Sequence, residues 1–411
     1  MNKIKGPLAL AFSESLTKLI GLMLLPVITD ALTLEEFGIY ALFLINYIFF
    51  STLYIAILNN FILVGYFTRQ YRIVYEVKSA MAFNTLFFIV LSILFFSISS
   101  VYNFDEYFYV FFISSLSCII AQPSQVYLTF KQCQQKYISY AKFSLTFVFC
   151  YVVLALLAYY LNVSSWQGYA LLVLSSHLFQ TLLLLFIDAS NVRLIYFSKM
   201  SSSKRYIKHF KALIGNSLFG WARVNVDKYL IITILGTTVM ATYSLGFQLG
   251  AVIGLLNTIL IKLLNPILFA SFKSQVNAKA RKLTIIVIAC FAVVSLSYTL
   301  LLPFIVNVFF PAAYESSIQI AQLVSVGYCL QVMVSVVGAV LFYEKRNYLI
   351  SALSMASFTF LLVGLMILYS LNLFSAYYVA LFFVGSWCFH LILTLFFALK
   401  EPKFIGFIKN A

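Results

Sequence analysis

The sequence predicts an all-α integral membrane protein of about twelve transmembrane helices, arranged as two six-helix lobes related by a parallel pseudo-twofold repeat. Three observations predict it. Of 411 residues, 63% are apolar and only 9% charged, whereas a soluble domain carries roughly 25% charged residues. Apolar runs of about twenty residues, the length a helix needs to cross the hydrocarbon core, recur along the whole chain. Lysine and arginine gather in alternate links between those runs, as the positive-inside rule requires.

The runs place spans near 7–29, 38–64, 80–101, 107–129, 143–162, 168–188, 212–235, 241–261, 283–309, 316–342, 348–371 and 376–399. The first begins after a basic MNKIK, but no small-residue cleavage site follows, so it is expected to stay as a span. With the N-terminus inside, 24 of the 27 Lys and Arg residues fall in inside segments and none in an outside link. Both termini are therefore expected in the cytoplasm. Outside links are short and acidic (Asp30, Glu35, Glu36; Asp105, Glu106; Glu315), too short for a catalytic domain. The longest link, 189–211, is basic and divides a six-helix lobe at 1–188 from another at 212–411.

The same pattern excludes other classes. The net charge of +15 is accounted for by the inside links, and no basic patch with stacking aromatics stands apart from a span, so nucleic acid is not an expected partner. Six cysteines lie singly without CxxC, and His177, His209 and His390 are far apart, without HxxxH or a carboxylate cluster. No metal, catalytic residue or cofactor is expected, and no phosphate-binding glycine loop marks an ATP-driven pump.

Six helices per lobe send both lobes into the membrane in the same direction, so a repeat would be parallel. LTLEEFGIYAL at 32–42 aligns with LGTTVMATYSL at 235–245, pairing Tyr40 with Tyr243. QKYISYA at 135–141 aligns with RNYLISA at 346–352, pairing Tyr137 with Tyr348.

Ionisable residues inside spans are the candidate site, because each costs roughly 2.5–3.5 kcal/mol at the bilayer centre on insertion scales. Glu14 and Lys18 sit in the first helix, and Arg223, Asp227 and Lys228 in the seventh, its counterpart in the second lobe. Glu14 with Lys18, and Arg223 with Asp227, are four apart and share a helix face. Arg223 is too deep to snorkel, whereas Lys228 is near enough to the outer interface to reach it. Two readings follow: structural charge pairs joining the lobes, or a hydrated central cavity in which Lys18, Arg223 and Lys228 bind an anionic substrate while Glu14 and Asp227 pair charges or couple an ion. The polar residues Asn59, Asn60, Asn84, Gln122, Gln125, Gln248 and Asn257 read as interhelical hydrogen bonds. Gln122-Pro123 and Asn265-Pro266 read as kinks.

Two stretches carry a family resemblance: SLTKLIGLMLLP at 15–26 followed by LTLEEFGIY at 32–40, and VDKYLI at 226–231 followed by ATYSLG at 241–246. They resemble the opening and the seventh and eighth helices of Wzx-type O-antigen and polysaccharide flippases, of the multidrug/oligosaccharidyl-lipid/polysaccharide exporter superfamily. Ala241-Thr242 departs from the glycine common in that family before the tyrosine. The resemblance implies a flippase, not an enzyme, in the bacterial inner membrane. It would move an undecaprenyl-diphosphate-linked oligosaccharide across the bilayer by alternating access coupled to an ion gradient, among other polysaccharide-assembly membrane proteins. The competing readings are a drug/cation antiporter of the same superfamily and a membrane-embedded polysaccharide polymerase.

Overall fold

A computed structural model of the chain describes residues 13, 16–17, 19–68, 70–102, 105–187, 203–274, 278–402 and 404–405. Among these residues every regular element is a helix. The first is α1 (Leu25–Ala31); α2 (Leu34–Phe50) then runs through a π-helical turn, Ser51–Ala56, into α3 (Ile57–Thr68). There follow α4 (Gln70–Tyr102), α5 (Asp105–Cys133), α6 (Tyr137–Tyr160) and α7 (Trp166–Ile187). The remainder comprises α8 (Lys204–Leu235), α9 (Thr237–Gly250), α10 (Val252–Ser274), α11 (Ala278–Phe309), α12 (Ser317–Tyr343), α13 (Asn347–Ser370) and α14 (Ala376–Ala398).

Ten helical stretches of the described chain are long and apolar enough to cross a membrane. Helix α8, 32 residues long, adds another, although its charges disguise it. The apolar helix Leu19–Ala31 adds the first span, whose beginning lies outside the described residues. The chain is thus a multi-pass, all-helical membrane protein.

Several helices outrun the apolar runs that announced them. Helix α4 starts at Gln70 rather than 80, and α8 at Lys204 rather than 212, because hydropathy marks only the stretch suited to lipid while the helix itself continues through polar helix formers. The end of the expected linker is therefore helical; its part 189–202 lies outside the described residues. The eighth span, expected to close at 261, continues to Ser274 after a single-residue turn at Ala251. Both Pro123 and Pro266 sit inside unbroken helices.

The chain divides into two compact units, Met1–Trp221 and Ala222–Ala411, and the division falls within α8. In the first unit Ile57, Leu58, Phe61 and Ile62 of α3 pack with Ile73, Val77, Ala80 and Val126, and α8 contributes Tyr206 and Phe210 to the same core. Polar contacts anchor that end of α8. Arg205 Nη1 lies 2.6 Å from Glu76 Oε1, and the Tyr206 hydroxyl donates to Asn84 Oδ1 at 2.9 Å. Asn84 Nδ2 in turn donates at 3.0 Å to the carbonyl of Tyr54 in the π-helical turn. Two of the link carboxylates have structural partners: the Trp166 backbone N–H, at the start of α7, donates to Glu36 Oε2 at 2.6 Å, and its indole N–H to Glu106 Oε1 at 3.2 Å. A carboxylate at a helix N-terminus satisfies an amide that the helix cannot, and faces the positive end of the dipole.

In the second unit, α9 and α10 lie against α12, which also packs on α14. Gly246, Gly250 and Gly254, spaced four apart, line that approach. A Cβ on Gly246 would come within 2.6 Å of the Ser317 carbonyl oxygen, one on Gly250 within 2.8 Å of the Ala321 oxygen, and one on Gly254 within 2.7 Å of the Tyr328 ring. Small residues at this spacing let two membrane helices touch backbone to backbone, where dispersion replaces the absent hydrophobic drive.

The units repeat one another internally, in two registers. Thr33 caps α2 and Gly236 caps α9, 203 positions apart, which preserves the Tyr40/Tyr243 pairing. Gln135 and Lys345 both adopt φ 57°, and Asn162 and Asn372 adopt φ 54° and 56°, left-handed positions that end helices; each pair is 210 apart. The expected pairing of Tyr137 with Tyr348 is therefore off by one. It matched like side chains, whereas the turns fix the register, and one residue rotates a helix by about 100°. In the corrected register the buried faces of α7 and α14 coincide, with Ala170, Ser176, His177 and Gln180 opposite Ala380, Ser386, Trp387 and His390.

Candidate functional site

The second unit gathers its charges around α8. Arg223, Asn225, Asp227 and Lys228 are all buried, Asp227 completely and Arg223 at 6% exposure. A single residue, Gly236 at φ 89°, joins α8 to α9. That conformation favours glycine, and the tight turn returns α9 alongside with Tyr243 and Phe247.

The partners differ from those spacing suggested. Asp227 Oδ2 accepts from the Tyr243 hydroxyl at 2.5 Å, and Oδ1 lies 3.4 Å from Lys228 Nζ. The ion pair on this face is thus between chain neighbours rather than between Arg223 and Asp227. Lys228 does not snorkel: its Nζ donates to the Val224 carbonyl at 2.5 Å and sits 3.3 Å from the centre of the Phe247 ring. A carbonyl, a carboxylate and an aromatic face together satisfy an ammonium that would otherwise seek water.

Arg223 turns instead to α14. Its guanidinium carbon stands 3.6 Å above the Trp387 ring, and Nη1 lies 2.6 Å from His390 Nδ1. A guanidinium only donates, so this contact requires an unprotonated Nδ1. Trp387 and His390 stack on each other at 5.9 Å with a 10° interplanar angle. Phe247, Tyr328 and Phe383 continue the aromatic wall, with Phe383 5.3 Å from Phe247 and 5.8 Å from Tyr328. Gly327 leaves room for Phe383, since a Cβ there would meet its ring at 2.7 Å.

Three donors in this cluster are left over. Arg223 Nε and Nη2 and Trp387 Nε1 are buried with no hydrogen-bond partner among the described residues. Each such donor costs about 1–3 kcal/mol relative to a satisfied one, so their convergence on two stacked side chains is a feature that calls for a reason.

Of the expected site residues, the structure brings Arg223, Asp227 and Lys228 into one unit's core, while Glu14 and Lys18 lie outside the described residues. His390, Trp387, Tyr243 and Phe247 were missed as partners. The histidines have no spacing that suits a metal or a catalytic pair, but Phe383, Trp387, His390 and Thr394 form a buried stripe at helical spacing on α14, which is the signal that could have found them. Among the softer polar residues, Asn84 makes the interhelical bonds expected of it, whereas neither amide atom of buried Gln122 has a partner among the described residues. In the first unit His177 bonds Tyr47 at 2.7 Å and stacks on Phe147 at 4.4 Å. No group of three metal-ligating residues is found among the described residues.

No family model matches the sequence, and no curated protein does either. Solved structures do. An inward-facing multidrug resistance MATE family transporter of the MOP superfamily is similar with a TM-score of 0.68 at 13% identity, over 97% of this chain and 93% of the other. An outward-facing MATE transporter gives 0.66 at 12% identity over 99% and 97%, and the lipid II flippase MurJ in an inward closed conformation gives 0.66 at 12% over 97% and 90%. At such identities the likeness is one of fold, and the fold of this chain is that of the MATE transporters and the MurJ flippase.

Proposed function

We propose that the chain is a transporter rather than an enzyme, and that it carries an anionic, lipid-linked substrate across its membrane. The observation that carries this reading is the trio of uncommitted buried N–H groups, Arg223 Nε and Nη2 and Trp387 Nε1. A phosphate or diphosphate oxygen is the acceptor such donors suit, and a planar guanidinium receives it with two parallel bonds. Lys228 reinforces the field, and Asp227, engaged by Tyr243 and Lys228, offsets only one of the two cations.

Within that reading, the substrate is an undecaprenyl-diphosphate-linked oligosaccharide of the O-antigen or a related polysaccharide. The protein flips it across the bacterial inner membrane by alternating access, with both termini in the cytoplasm, coupled to an ion gradient and beside other polysaccharide-assembly proteins. Lys18 and Glu14 of the first helix belong to the same proposal. The fold likeness supports export of cationic drugs equally, and one observation favours it: the wall of Tyr243, Phe247, Tyr328, Phe383 and Trp387 around a carboxylate suits a flat organic cation. The cationic excess of the cluster favours the anion.

Proteoliposomes decide between them. The wild-type chain should translocate a fluorescent lipid-diphosphate-linked oligosaccharide, measured by quenching of the outer-leaflet pool, and should leave a cationic dye gradient unchanged. Arg223→Ala should abolish flipping with the protein still folded, and Arg223→Lys should keep part of it, because lysine retains the charge without the fork. Dye export without flipping would establish the antiporter reading instead.

A further inference from the structure

We infer that His390 is a proton-binding site linked to anion binding at Arg223, so that a proton and the substrate's anionic group bind the second unit cooperatively. The inference rests on the anion reading of the site.

The geometry carries it. Arg223 Nη1 lies 2.6 Å from His390 Nδ1, and because arginine cannot accept, the imidazole holds its one proton on Nε2. A second proton on Nδ1 would set two N–H donors and two positive charges against each other at that distance. The contact then breaks, Nη1 joins the already uncommitted Nε and Nη2, and a second cation stands beside the guanidinium. The pair becomes a doubly positive site of the kind a diphosphate needs. An anion held there, in turn, screens the two charges and makes the second proton easier to keep, because linkage between two ligands is reciprocal.

Little else nearby can take the proton. The charged group facing His390 is Arg223 from α8, with Lys228 and Asp227 further along the same helix and already engaged. Helix α12, packed on α14, offers Tyr328, Cys329 and, at its end, Tyr343, and α13 carries no ionisable residue between Tyr348 and Tyr369. On α14 itself the only other ionisable side chains are Cys388 and, at the start, Tyr377 and Tyr378. Among the side chains named around this cluster, His390 is the only imidazole.

The test is nitrogen NMR of the full chain in lipid nanodiscs with 15N-labelled imidazoles, of which it has three. His390 is identified by the signal missing from His390→Gln and, independently, from His390→Asn. At high pH its Nδ1 should show the shift of an unprotonated acceptor, and acidification should convert it to the doubly protonated form. Inorganic pyrophosphate should move that conversion toward higher pH by about one unit, roughly a tenfold gain in proton affinity. Arg223→Gln should remove the pyrophosphate effect. A protonated Nδ1 at high pH, or no conversion down to about pH 5, overturns the proton site whatever the anion does. A conversion that stays put while calorimetry shows pyrophosphate bound overturns the linkage alone. Absence of Arg223-dependent pyrophosphate binding overturns the linkage together with the anion reading.

Discussion

Adding one methyl group at Gly250, at the end of α9, should lower the stability of the second unit. The built Cβ falls 2.7 Å from both Cβ and Cγ1 of Val324 and 2.8 Å from the carbonyl oxygen of Ala321. Comfortable separations are about 3.5–4 Å, so α9 and α12 must part by roughly 1 Å. Val324 cannot escape by rotation, because its Cβ is itself in the way, and the Ala321 oxygen is backbone. Overpacking of this kind costs about 1–3 kcal/mol. Alanine returns up to ~1 kcal/mol over glycine in a helix, leaving a net loss near 1–2 kcal/mol. The matched control is Gly220→Ala on α8, where nothing stands within 4 Å of the built Cβ; it should be neutral or stabilising by up to ~1 kcal/mol. Reversible unfolding in mixed detergent micelles, followed by circular dichroism, reads both. Equal stability of the two variants would refute the claim that α9 and α12 meet through their backbones at this glycine.

Three further outcomes follow from the partners now in view. A double-mutant cycle on Asp227→Asn and Lys228→Met should show a coupling above about 1 kcal/mol, because either charge alone is left buried; the same cycle on Arg223 and Asp227 should show a much smaller one, and a large Arg223–Asp227 coupling would contradict the assigned pairs. Glu36→Ala should lower unfolding stability by about 1–3 kcal/mol through the unsatisfied Trp166 N–H, and an unchanged midpoint would show that water replaces the carboxylate. In a cysteine-free background, Glu315→Cys and Tyr160→Cys should react with an impermeant thiol reagent applied from outside and Tyr348→Cys should not, all three positions being exposed; the reverse pattern would invert the expected orientation.

Most of the architecture was legible because lipid imposes a coarse rule. A helix that must be apolar for about twenty residues announces itself, and positions such as 107–129 and 376–399 came close to α5 and α14. Where lipid stops, the signal stops as well, which is why hydropathy assigns the first turns of α4 and α8 to links. The repeat was legible in part. Tyr40 and Tyr243 follow capped helix starts, so side-chain identity and backbone register agree there. At Gln135 and Lys345 the register lives in a left-handed turn that residue identity does not report. Burial of charge at Arg223, Asp227 and Lys228 was legible from depth alone, but the choice of partner was not. Spacing along one helix points only to residues on that helix, whereas His390 and Trp387 arrive from a helix more than 150 positions later, through tertiary packing.

The seam between the two units has a bearing on how the chain can be taken apart. It falls between Trp221 and Ala222, inside an uninterrupted α8. Severing the polypeptide there would expose about four amides and four carbonyls of a membrane helix, each costing several kcal/mol in hydrocarbon. A cut just ahead of Lys204 spares the helix. It also leaves the C-terminal fragment bearing Tyr206 and Phe210, whose places are in the core of the N-terminal one. Expressed separately, the N-terminal fragment would lack two core side chains that the C-terminal fragment carries and leaves uncovered, so folding of the N-terminal fragment should depend on its partner.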